Sequence, residues 1–244
     1  MRVGLFVPCY IDQLYPTVGR ASLELLQKSG CEVIFLEDIL CCGQPMANSG
    51  YEHYTTNKNY ASPFLEALPN VDYVVAPSAS CIYHLTHHLL KEELEQDKLQ
   101  KFKEITEFLH DVKTNFVVQS YFPHRVALHK SCHGLRGLQL AKASELGGTA
   151  FSKIENLLNK VEGLHLVIPA QSDECCGFGG SFSVFENAVS VRMGEDKLKN
   201  VLHEKVEYLT ATDMSCFMHL EGVFKENESV VKIVHITEIL NSSL

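Results

Sequence analysis

Short apolar runs recur along the chain, each followed by a longer stretch with helical spacing. Val3–Val7, Glu32–Leu36 and Tyr73–Ala76 are such runs in the first half. Short apolar runs bounded by turn signals predict strands buried on both faces. Between the first two, a helix is expected from near Pro16, a residue suited to a first turn, to just before Gly30. Another is expected near Tyr51–Leu68, and Cys81–Val112 reads as mostly helical. The second half repeats the scheme, with strands expected at Val126–Leu128, Leu164–Ile168, Tyr208–Thr210 and Val231–Val234 and a long helical segment at Ser183–His203. Alternating strands and helices predict an α/β fold of mainly parallel sheets flanked by helices. The charged stretch Asp97–His124 is expected to join two halves, giving domains at 1–122 and 123–244.

The halves are related in sequence as well as in pattern. RVGLFVPC (Arg2–Cys9) matches RVALHKSC (Arg125–Cys132), and VDYVVAPSASCIYHL (Val71–Leu85) matches VEYLTATDMSCFMHL (Val206–Leu220). The tripeptide Cys-Cys-Gly occurs at Cys41–Gly43 and again at Cys175–Gly177. Offsets between halves are 123, 134 and 135 residues at successive cysteine positions, a drift of loop size. One duplication explains all of this, so the fold is expected to be two pseudo-symmetric repeats.

Eight of the nine cysteines obey the repeat. Cys9, the pair Cys41–Cys42, and Cys81 each follow a predicted strand. Cys132, the pair Cys175–Cys176, and Cys216 do the same in the second half. Parallel strands end at one edge, where ligands bind. Four thiols are therefore expected to converge at the carboxyl ends of the strands in each half. Cys31 lies at a strand start and reads as a buried structural residue.

Converging thiols admit several chemistries. Four thiolates suffice for a 4Fe–4S cluster, and adjacent sulfurs can take adjacent irons. The glycine after each doublet lets backbone N–H groups approach an anionic cluster. Four thiolates also satisfy zinc, although common zinc sites space their pairs as Cys-x₂₋₄-Cys. A metal-free thiol redox site is expected to show Cys-x-x-Cys, which is absent. Pairing within a doublet is disfavoured, because neighbouring Cα atoms lie about 3.8 Å apart and disulfides want roughly 4.4–6.8 Å.

Composition narrows the setting. A net charge of −9 argues against a nucleic-acid surface. No run of 18 apolar residues predicts a membrane span, and the opening MRVGLFVPCY reads as a strand and not a signal peptide. The expected compartment is the cytoplasm, where thiols stay reduced. His84 and His219 each follow the last cysteine of their half by three residues, as ligands or as hydrogen-bonded helix residues. His129, Lys130, His133 and Arg136 surround Cys132, which reads either as an anion-binding cluster or as surface charge.

The doubled Cys…Cys-Cys-Gly…Cys arrangement resembles the cysteine-rich CCG domain of heterodisulfide reductase and of a glycolate oxidase subunit. CCGQPMANSGY (Cys41–Tyr51), HKSCHGLR (His129–Arg136), CCGFGGSFSV (Cys175–Val184) and VKIVHITEIL (Val231–Leu240) are similar to one branch, the lactate-utilisation protein A family. The resemblance spans essentially the whole chain. It implies an iron–sulfur, electron-transferring oxidoreductase subunit of a cytoplasmic system that oxidises L-lactate to pyruvate. It implies two partners, a ferredoxin-type iron–sulfur protein and a third component. It implies one or two 4Fe–4S clusters, held by Cys9, Cys41, Cys42 and Cys81 and by Cys132, Cys175, Cys176 and Cys216. The wider domain often carries a fifth cysteine where His84 and His219 stand here, which counts against heterodisulfide chemistry. A zinc-stabilised scaffold and a thiol redox subunit are the alternatives.

Overall fold

The computed structural model describes residues 1–53 and 60–243, so part of the helix expected near Tyr51–Leu68 lies outside the described residues. The chain divides into two compact units, Met1–Val117 and Val118–Leu244.

The first unit carries four strands, β1 (Arg2–Leu5), β2 (Glu32–Phe35), β3 (Tyr73–Ala76) and β4 (Phe102–Glu104). They form one parallel sheet in the order β2-β1-β3-β4. The second unit carries β5 (Arg125–Leu128), β6 (His165–Val167), β7 (Tyr208–Ala211) and β8 (Lys232–His235), parallel in the order β6-β5-β7-β8. The registers correspond: Leu5 sits beside Val75, and Leu128 beside Thr210. Central strands are apolar because both faces are covered; Val3, Val126, Ala127 and Leu128 are fully buried. Both sheets are flanked by helices, as the alternation predicts.

The helix Pro16–Lys28 illustrates the local logic. Proline opens it, Val18, Ala21, Ser22, Leu25 and Leu26 make its buried stripe, and Lys28 faces the negative end of its dipole. Gly30, at φ +78°, then turns the chain into β2. Truncating Leu25 or Leu26 to alanine removes a fully buried side chain, a change that costs about 2–5 kcal/mol.

Two expectations need correction. Cys81–Val112 is not helical throughout, because Phe102–Glu104 is the edge strand β4. Three residues carry no usable periodicity, and their conformation is set by pairing with β3, where Val74 N–H donates to Lys101 O at 2.9 Å. The segment Ser183–His203 is broken at Glu186 (φ −115°, ψ 45°) into the helices Phe182–Phe185 and Asn187–His203. Within Asp97–His124, the chain supplies β4 to the first unit, and Tyr121, already part of the second unit, bridges to Glu162 there. Among the described residues, no helix is long and apolar enough to cross a membrane.

Candidate metal centres

In an open parallel sheet of order 2-1-3-4, the chain departs in opposite directions from β1, leaving a crevice at the carboxyl ends of β1 and β3. Cys9 opens the helix that follows β1, and Cys81 lies in the first turn of the helix Ala79–His84 that follows β3. Ser78 caps that helix by accepting from the Cys81 N–H at 3.2 Å. The Tyr10 and Ser78 hydroxyls, 2.7 Å apart, tie the two strand ends together. The loop after β2 brings in Cys41 and Cys42.

The first-unit thiols form a chain. Cys9 Sγ lies 3.8 Å from Cys41 Sγ, and Cys42 Sγ lies 3.2 Å from Cys81 Sγ. Cys41 accepts from the Cys42 and Cys9 thiols and from the Gly43 N–H at 3.4 Å. These donors hold its pKa down to about 3, against burial, which raises it. The Cys9 thiol, bonded to Cys41 and partly buried, is pushed up, as is the fully buried Cys42 thiol between Cys41 and Cys81. Within this group the first cysteine of the doublet is the thiol whose pKa its donors lower.

The second unit repeats the arrangement. Cys175 accepts from the Cys132 and Cys176 thiols and from the Gly177 N–H at 3.4 Å, which holds its pKa down to about 2. Cys132, bonded to Cys175, is pushed up, and Cys176, bonded to Cys175 and Cys216, is pushed up as well. The strand ends are again tied by hydroxyls, Ser131 and Thr212 at 3.2 Å. All eight cysteines of the repeat are thus drawn into two groups. Cys31 lies outside them at the amino end of β2, with the Ser29 hydroxyl 3.4 Å from its sulfur.

The glycine after each doublet has a steric reason. Gly43 and Gly177 have φ of +85° and +92°. At Gly177 a Cβ would lie 2.6 Å from Ser190 O and 2.8 Å from Met193 Cβ. Ser190 is part of the support, since its hydroxyl donates to Gly177 O at 2.8 Å. His219 Nε2 in turn lies 3.1 Å from Ser190 O, so its N–H donates there. Of the two readings open for His219, this arrangement gives the hydrogen-bonded helix residue. His84 is buried and stacks on the ring of His88.

The cationic cluster expected around Cys132 is not a free anion site. Lys130 pairs with Glu155 at 3.0 Å. Arg136 donates twice to Glu145, at 2.6 and 2.9 Å, and once to Asp173 O at 3.0 Å. Arg136 does line a cavity of about 540 Å³ with Cys132, Cys175 and Asp173, but its charge is answered within the chain. His129 is not on the surface at all. It is 1% exposed, and burial, with Lys197 nearby, lowers its pKa to about 3, so the ring is neutral. Its ring joins Cys176 and Cys216 in a group whose potential ligand atoms all lie within 4.8 Å of one another.

Residues 3–86 and 126–221 each match the CCG family, described as a cysteine-rich domain. A lactate utilization protein A from Oceanobacillus iheyensis is 38% identical over 249 residues, covering 99% of this chain and 97% of that protein. The chain belongs to the lactate utilization protein A family. Other members from Halalkalibacterium halodurans and an Exiguobacterium species are each 37% identical, covering 99% and 100% of this chain and 97% and 98% of their own lengths. Each CCG match in this family member encloses one of the two thiol groups.

Sequence reasoning missed His129 and Lys197 as buried partners of the second group. Lys197 is 3% exposed and donates to Gln171 O at 2.6 Å. A signal for His129 was available, since the repeat aligns it with Phe6, a core residue. None was available for Lys197, whose position inside a long polar helix resembles any solvated lysine.

Proposed function

We propose that this chain is an iron–sulfur electron-transfer subunit of a multi-protein system that oxidises L-lactate to pyruvate. The observation that carries this reading is the same thiol chain built twice, Cys9–Cys41–Cys42–Cys81 and Cys132–Cys175–Cys176–Cys216. The lactate part rests on the relatives' name.

The residues fit a cluster. Each group offers four sulfurs, and the most acidic thiol is also the one that receives a glycine N–H. Vicinal sulfurs suit adjacent irons better than one small ion. Cys9, Cys41, Cys42 and Cys81 would hold one 4Fe–4S cluster, and Cys132, Cys175, Cys176 and Cys216 the other. When bound, such clusters accept and donate electrons one at a time, which suits the two electrons released when lactate becomes pyruvate. The chain's own residues do the rest. Buried Cys42, Cys81 and Cys176 exclude water from one side of each group. The amides of Gly43 and Gly177 favour negative charge on sulfur. The partners in this reading are a ferredoxin-type protein and a third component, all in the cytoplasm.

The test is iron, acid-labile sulfide and zinc per chain on protein purified without oxygen. About eight irons and eight sulfides per chain are expected for two 4Fe–4S clusters. Zinc without sulfide overturns the reading in favour of a structural scaffold.

A further inference from the structure

The two units match closely at the position after their central strands. Phe6 N–H donates to Val75 O at 2.9 Å, and His129 N–H donates to Thr210 O at 2.8 Å. The backbone is therefore equivalent, while the side chains differ in kind. Phe6 is fully buried and packs edge-on against Phe64, with ring centroids 5.1 Å apart. His129 is buried to the same degree, and the backbone of Ser172 is the one hydrogen-bonding group set against its ring, which leaves at least one ring nitrogen without a partner. An orphaned buried polar atom is destabilising, and this ring leaves at least one. An apolar residue would avoid that cost, as Phe6 does in the first unit.

The ring is also placed where a donor is useful. Its ligand nitrogen, Cys176 Sγ and Cys216 Sγ lie within 4.8 Å of one another. A neutral imidazole with a free lone pair is the metal-binding form of histidine. We propose that His129 is a ligand of the second centre, binding iron through a ring nitrogen beside Cys176 and Cys216. The first centre has no imidazole at the matching position. His129 gives the second centre an imidazole donor beside its four thiols, where the first offers thiols alone at the matching position, so the two centres are chemically unequal. This inference rests on the iron–sulfur reading above.

The experiment is pulsed electron–nuclear double resonance on the reduced full chain, purified without oxygen, with and without ¹⁵N-histidine. The expected result is a nitrogen coupling of the size of a direct iron–nitrogen bond that changes with the label. It disappears in His129→Phe, which copies the first unit's residue. In that variant one of two reduction potentials shifts and the other stays. Iron and sulfide in both units without such a coupling overturn this inference alone. So does a coupling that persists in His129→Phe. Wild-type protein free of iron and sulfide overturns the iron–sulfur reading, and this inference with it. The labelled wild-type spectrum keeps the proposal testable even if His129→Phe folds poorly.

Discussion

The amide of Gly177 donates to the sulfur of Cys175 at 3.4 Å, from a backbone with φ +92° that only glycine adopts without strain. The bond and the left-handed backbone are one feature, since the turn aims the N–H back at the Cys175 sulfur. Gly177→Ala adds a Cβ 2.6 Å from Ser190 O. Gly30 also has positive φ, but has nothing within 4 Å of a built Cβ. Gly30→Ala is expected to cost only the left-handed penalty, about 1–2 kcal/mol. Gly177→Ala is expected to cost clearly more and to lose metal from the second unit. Thermal melts of both variants, with metal analysis, check this.

In the proposed reading Cys41 and Cys175 each hold iron in their own centre. Cys41→Ser and Cys175→Ser are each expected to lower iron per chain by about half, as one of two clusters is lost. Cys31→Ser is expected to leave iron unchanged, because Cys31 sits at the opposite end of β2 from the doublet. Metal analysis of the three variants side by side reads this directly.

Ser190 supports the second doublet through its hydroxyl on Gly177 O. Ser190→Ala is expected to cost about 0.5–1.5 kcal/mol, the net worth of one hydrogen bond. Loss of that support is also expected to speed metal removal by a chelator from the second unit, with the first unit unaffected. Equal rates in variant and wild type would separate Ser190 from the site.

Glu104 gives the first unit a pH dependence. Its carboxylate caps the turn Ile105–Glu107, accepting from the Thr106 hydroxyl, Thr106 N–H and Glu107 N–H. Complete burial nevertheless raises its pKa from 4.5 to about 8. A group whose folded pKa is raised binds its proton more tightly when folded. Its stabilisation is full below the unfolded pKa and is lost as pH rises through the folded value. Stability of the first unit is therefore expected to fall between about pH 4.5 and 8, and Glu104→Gln is expected to flatten that slope. Denaturant midpoints at pH 5 and pH 8 for both proteins check it.

Much of this molecule is legible along the chain. The central strands β1 and β5 announce themselves as apolar runs, because a strand covered on both faces needs no alternation. The cysteines fall after strands, and parallel strands share one edge, so convergence of Cys9, Cys41, Cys42 and Cys81 followed from order alone. The duplication made the second group a repetition of the first.

Other features exist only through space. β4 is three residues long, and β3 beside it makes it a strand. Arg136 looks like an open cation until Glu145, from another loop, closes on it. That Cys41 and Cys175 are the thiols lowered in pKa depends on which donors surround each one. His129 reads as one more polar residue beside Cys132, yet the fold buries it against Cys176 and Cys216. Periodicity and spacing are properties of neighbours in sequence, so the chain alone determined the central strands, the repeat and the thiols that converge. Burial, ion pairing and proton affinity arise from neighbours in space, and only the tertiary structure decided those.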